Sequence, residues 1–128
     1  RSPQWTGGGV VFAPKPRDYS MKMNKREKQI AMKSALTSKV QDAKLVVVDA
    51  FNLDEIKTSK FVQILDNLKA PKALVVTKDK DEKVVLSARN IPAVKTTMTN
   101  SLNVYDILKY DSLVLTKDAV AAIEEVYA

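Results

Sequence analysis

The sequence predicts an α/β fold: a roughly four-stranded parallel sheet with helices on both faces, carrying an extended N-terminal arm. Three observations predict it. Four short strand-like runs, LVVVDA (45–50), ALVVT (73–77), VKTTMT (94–99) and SLVLT (112–116), are separated by stretches of helical spacing. Strands that alternate with helices imply right-handed crossovers and a parallel sheet covered on both faces. The first twenty residues share neither pattern: RSPQWTGGGVVFAPKPRDYS holds all three glycines, the only Trp and three of the five prolines.

Residues 1–20 read as loop or arm. Three consecutive glycines permit unusual backbone angles and close approach to another surface. Pro14-Lys15-Pro16 is stiff and extended, because each Pro fixes its own φ and biases its predecessor away from helix. Residues 21–128 read as one domain that opens with a basic helix. Asn24 and Glu27 form a capping pair for a helix of about 25–41. Ile30, Ala31, Ala35, Leu36 and Val40 supply its apolar positions, while Lys25, Arg26, Lys28, Lys33 and Lys39 fill most of the rest.

The run at 45–50 is continuously apolar before its acid, as in a strand buried on both faces. Between 57 and 68, Phe61, Ile64, Leu65 and Leu68 share one helical face. Residues 81–88 form a short helix capped by Asp79 or Asp81, and 104–109 another capped by Asn103. A helix over 118–127, with Thr116 as its cap, closes the chain.

Composition narrows function. At 128 residues the chain is one domain's worth, long enough for a single substantial core. It has no Cys and no His, so it lacks the thiol nucleophile, the commonest general base and the commonest zinc ligands. That argues against an enzyme; no cofactor, metal or small-molecule substrate is expected. No apolar run nears the roughly 20 residues of a membrane span, and no membrane partner is expected. The polar start has no apolar signal-peptide core, and a first residue of Arg1 rather than Met reads as a fragment or processed form.

The net charge of +6 is unevenly placed. Residues 1–44 carry ten Lys/Arg against three acids; residues 45–128 carry eleven against twelve. A basic third on an otherwise neutral chain points to nucleic acid or an anionic surface. The plainer alternative is a solvated, Lys-rich helix face. Trp5 stands among Arg1, Lys15 and Arg17, and aromatics interleaved with cations suit RNA: rings stack on bases while cations neutralise phosphate. Its plainer alternative is a staple onto the domain's own surface.

Nucleotide motifs are poor. The loop after the first strand, Asp49-Ala50-Phe51-Asn52-Leu53, contains no Gly, and no Gly-Lys-Ser/Thr occurs. Asp49 with Lys117 suggests a phosphorylated receiver site, but the acid pair that such a site needs is absent. Ser87-Ala88-Arg89-Asn90-Ile91-Pro92 closes a helix: Arg89 suits the dipole there or contacts phosphate, and Asn90 tolerates a left-handed turn.

The arm, the basic KREKQIAMKSAL helix (25–36), LVVVD (45–49), LSARNIP (86–92) and LNVYDILKYDSLVLTKDAV (102–120) carry a resemblance that runs essentially end to end. The sequence resembles the large-subunit ribosomal protein L-four family, of bacterial type. The resemblance implies a structural, cytoplasmic protein that binds large-subunit (23S) rRNA, joins the subunit early and touches neighbouring large-subunit proteins. In that family the arm is the returning limb of a long loop that penetrates rRNA and helps line the peptide exit tunnel. The family's N-terminal segment and the loop's outgoing limb and tip precede Arg1. The tunnel constriction therefore maps to no residue here, and whether that segment completes the sheet stays open.

Carried over by residue, Arg1, Ser2, Trp5, Gly7, Gly8 and Gly9 match the arm against rRNA, and Lys15 and Arg17 match its return to the domain. Lys22, Lys25, Arg26, Lys28 and Lys33 are chosen on charge alone, and Arg89 as a phosphate contact. Some family members bind their own mRNA to repress translation, and some contact an RNA-degrading enzyme. The first makes the chain's own mRNA an expected partner, though no residue here carries either activity. The alternative from another class is a small α/β nucleotide-binding or receiver-like domain.

Overall fold

The computed structural model describes residues 1–127. Residues 1–24 contain no helix or strand. Helix α1 (Lys25–Gln41) begins where expected, with the Glu27 carboxylate accepting from the Asn24 backbone N–H at 3.1 Å. It ends at Ala43, whose φ of 55° lets the N–H groups of Ala43 and Lys44 reach the carbonyls of Val40 and Lys39.

Then follow β1 (Leu45–Val48), α2 (Thr58–Asn67), β2 (Ala73–Thr77), α3 (Glu82–Ala88), β3 (Val94–Met98), a 3₁₀ turn (Thr99–Ser101), α4 (Val104–Lys109), β4 (Ser112–Thr116) and α5 (Lys117–Tyr127). The caps are local chemistry. The Asp81 carboxylate, not Asp79, accepts from the N–H groups of Lys83 and Val84. Asn103 accepts from the Asp106 N–H at 2.8 Å, and the Thr116 hydroxyl from the Ala119 N–H at 3.3 Å.

The four strands are all parallel, in the order β1-β4-β2-β3. The middle strands β4 and β2 are almost wholly buried, and their alternating side chains feed two cores. Leu74, Val76, Leu113 and Leu115 meet Met32 and Ala35 of α1, Ile107 of α4, and Ala119 and Ile123 of α5. Ala73, Val75 and Val114 meet Phe61 and Leu65 of α2 and Val84 and Ala88 of α3. Helices therefore cover both faces, as the sequence predicts.

Three expectations need correction. β1 is not buried on both faces: it is an edge strand, and Val47 is 52% exposed. α1 turns Met32, Ala35 and Lys39 inward, leaving Ile30 and Val40 largely in solvent. The left-handed helix ends are Ala43 and Lys69, not Asn90.

Lys39 is the unexpected member of the α1 core face. Its ammonium donates to the carbonyls of Tyr110 (2.7 Å) and Asp111 (3.1 Å), where α4 ends. One buried cation thus holds α1 against the last turn of α4 and satisfies carbonyls that the helix leaves open.

Candidate nucleic-acid interface

The arm satisfies its backbone only with itself. Residues 1–9 close a small loop: Trp5 N–H donates to Ser2 O (3.0 Å), Gly8 N–H to Trp5 O (2.9 Å) and Gly9 N–H to Arg1 O (3.3 Å). Gly7 sits at φ +72°, a region where side chains are strained. At Gly8 a Cβ would lie 2.0 Å from Ser2 O, whereas Gly9 has open space. The close approach is therefore to the arm's own backbone, and only two of the three glycines need to be glycine.

Every residue from 1 to 30 is exposed except Gly8, which is half-buried. Trp5 is 65% exposed, so it does not staple the arm to the domain. Phe12, at 94%, and the neighbouring Val10 and Val11 also face solvent. Three consecutive apolar side chains left in solvent are unusual on a protein surface.

Arg1, Ser2, Lys15, Arg17 and Lys22 are all exposed along this stretch. The Arg17 guanidinium lies 4.3 Å above the Tyr19 ring. The Asp18 carboxylate accepts from the backbone N–H and the hydroxyl of Ser20, which holds its carboxyl below the usual range. Phe12 and Tyr19 were not among the residues chosen from sequence. The signal for Tyr19 was its i, i+2 spacing from Arg17, which puts both side chains on one side of an extended chain.

On α1, Lys25, Arg26, Lys28 and Lys33 are exposed, but they do not form one stripe. At 100° per residue Arg26 and Lys33 share the outward face with Ile30. Lys28 instead borders an apolar groove of about 440 Å³ shared with Met23, Met32, Leu102, Val104 and Tyr127. None of the ten cations in residues 1–44 forms an ion pair with a carboxylate, among the described residues. Arg89 stands apart. It is exposed at the end of α3, on the opposite face of the sheet from α1.

The LNVYD and SARNIP motifs serve mainly packing. Asn103 caps α4, and its amide also donates to the Asp106 carboxylate at 2.8 Å. The Lys95 ammonium reaches the same carboxylate at 2.6 Å from β3. Burial alone would raise the Asp106 carboxyl, but the bonds from Lys95 and Asn103 outweigh it and hold it below its ordinary value. Ser87 and Ala88 are buried, and the Ser87 hydroxyl makes no hydrogen bond.

In parallel α/β proteins small ligands bind at the C-terminal strand ends. Here that end is a shallow depression of about 350 Å³ lined by Asp49, Asp79, Asp81 and Asp118, with Lys78 its one cation. A phosphate group placed there meets net negative charge. No three metal-ligating side chains converge anywhere among the described residues.

The sequence model described as the Ribosomal protein L4/L1 family matches residues 1–126. The chain is 70% identical over 128 residues to "Large ribosomal subunit protein uL4" of Lachnoclostridium phytofermentans, and 70% identical to the protein of the same name in Agathobacter rectalis. The corresponding protein of a Thermoanaerobacter species is 56% identical. Each alignment takes in 100% of this chain, which spans 62% of the relative's length.

Proposed function

This chain belongs to the Ribosomal protein L4/L1 family, and from that premise we propose that it is a non-enzymatic, structural constituent of the large ribosomal subunit that binds 23S rRNA. Residues 1–20 act as the rRNA-binding arm, and residues 21–128 as the α/β domain that carries it. The observation that supports this reading best is the exposure of the cations of residues 1–33, which form no ion pair among the described residues, together with that of Trp5, Val10, Val11 and Phe12. The arm, residues 1–20, buries too little to order itself and gains its packing from a partner. Lys and Arg without carboxylate partners are free to displace counterions from phosphate.

In this reading Arg1, Trp5, Lys15 and Arg17 lie against rRNA, with Gly7 and Gly8 shaping the loop that presents Trp5. Lys22, Lys25, Arg26, Lys28 and Lys33 extend the basic track onto the domain. The contribution to the exit-tunnel region rests on the family's extended loop. Neighbouring large-subunit proteins are the second partner, and the cytoplasmic ribosome is the location. The nucleotide-binding alternative is disfavoured by the acidic lining at the strand ends.

Chemical footprinting of large-subunit rRNA with the full chain and with residues 1–20 removed tests the proposal. The expected result is loss of a defined set of protections on truncation. Identical footprints would remove the arm from binding.

A further inference from the structure

The two ends of the sheet differ in charge. The connections that enter strands (42–44, 68–72, 89–93 and 110–111) hold Lys44, Lys69, Lys72 and Arg89 against Asp42 and Asp111. The connections that leave strands (49–57, 78–81 and 99–103) hold five acids against three lysines. The strand order turns the first set into a row. Lys44 O accepts from Leu113 N–H (2.8 Å) and Lys72 O from Ser112 N–H (3.1 Å), so the entries of β1, β4 and β2 lie side by side. Arg89 extends the row to the entry of β3. Neighbouring strands are about 4.8 Å apart, so the row spans three such steps.

Helix dipoles account for part of this, since cations at helix C-termini are favoured. They favour a cation beside the C-terminus of α2 as well, but not the left-handed backbone that Lys69 adopts there. Lys69 occupies the position after α2 with φ 53°, where Gly or Asn is the usual residue. A Lys kept in a strained backbone, exposed and without a carboxylate partner among the described residues, points to use of its charge. Lys44 and Arg89 are likewise exposed and unpaired, while Lys72 is only loosely held by Asp111 at 3.6 Å.

We propose that this strand-entry edge is a second phosphate-binding surface, which takes the sugar-phosphate backbone of rRNA independently of the arm and α1. The inference rests on the rRNA-binding reading above and adds a site on the other end of the domain. Phosphate contacts of this kind fix orientation rather than read sequence. Basic residues at two places on the domain, α1 and the strand-entry edge, set how it sits on RNA as well as how tightly.

The test measures binding of the full chain to 23S rRNA across a salt series, with hydroxyl-radical footprinting. The combined variant Lys44→Gln, Lys69→Gln, Arg89→Gln is expected to bind roughly ten-fold more weakly and to flatten the salt slope by about two. It loses one block of protections while the block that depends on residues 1–20 remains. Lys69→Gly serves as a second variant, because glycine adopts φ 53° without strain. It is expected to keep or raise the thermal midpoint yet lose part of the same protections. An unchanged slope and footprint in the combined variant, beside steep salt dependence in the unaltered chain, would overturn the second surface alone. Salt-insensitive binding by the unaltered chain would sink both readings.

Discussion

Residues 1–24 and residues 25–127 belong to one chain but answer to different physics. The domain hides its apolar side chains in two cores on either side of a sheet. The arm shows its own to solvent and makes its hydrogen bonds with near neighbours in the chain. The same residue types therefore do different work in the two regions, and paired substitutions separate them. The contrast teaches where to look for function: in the part of the chain that has not spent its side chains on folding.

Two phenylalanines give the largest expected difference. Phe61 is fully buried on α2 beneath the sheet; Phe12 is 94% exposed on the arm. Phe61→Ala is expected to lower the unfolding free energy in urea by about 3–5 kcal/mol. Phe12→Ala should stay within about 0.5 kcal/mol. A comparable loss from Phe12→Ala would mean that the arm packs on the domain, and the contrast would break.

Two kinds of lysine give the next. Lys39 is buried, with its ammonium on the carbonyls of Tyr110 and Asp111. Lys39→Met strands both carbonyls and is expected to destabilise by about 1–3 kcal/mol. Arg26→Gln with Lys33→Gln should leave the unfolding midpoint in place and weaken rRNA binding. If those two changed stability and not binding, the outward face of α1 would be a structural surface like any other.

Two carboxylates extend the comparison to pH. The Asp106 carboxyl is held low despite burial, by Lys95 and Asn103. Its folded value lies below its unfolded one of about 3.9, so the unfolded chain takes up the proton first. The stabilisation is full above about pH 4 and fades as pH falls through the folded value. Asp106→Asn is expected to cost about 1–2 kcal/mol at neutral pH and to flatten the acid limb of the stability curve. Asp18 in the arm is also held low, by Ser20, but its bonds are local and exposed. Removal of residues 1–20 should leave the acid limb unchanged, as equilibrium unfolding between pH 2 and 6 would show.

Much of this division was legible in the sequence, for physical reasons. Capping residues mark helix starts because their side chains replace missing backbone partners, so Asn24, Asp81, Asn103 and Thr116 fixed four starts to within a residue. Apolar runs marked three of the strands, and the β-branched residues of VKTTMT marked the other. What a run cannot state is its place in the sheet. LVVV reads the same at an edge as in the middle, and only the order β1-β4-β2-β3 exposes Val47. The apolar pattern of α1 points to the wrong face, because Ile30 and Val40 are apolar while Lys39 is charged; burial follows the fit of Lys39 to two carbonyls just after α4. Ala43 and Lys69 carry no glycine to announce their left-handed turns. For the candidate site, the excess charge was visible and its layout was not, since Arg89 lies across the sheet from α1.

The smallest expected effect falls inside the arm and tests whether its loop is a shaped object. The three glycines look equivalent in sequence and are not so in structure. A methyl on Gly8 would collide with Ser2 O at 2.0 Å, against backbone that cannot swing away, so Gly8→Ala must open the loop of residues 1–9. Gly9→Ala meets no atom within 4 Å and leaves it closed. Neither should move the thermal midpoint, because no core residue touches the loop. Gly8→Ala should alter the amide resonances of Trp5 and its neighbours and weaken rRNA binding by a few-fold, while Gly9→Ala changes neither. If both bind rRNA like the unaltered chain, the closed loop contributes nothing to the arm's role, which then rests on its charge and its exposed rings alone.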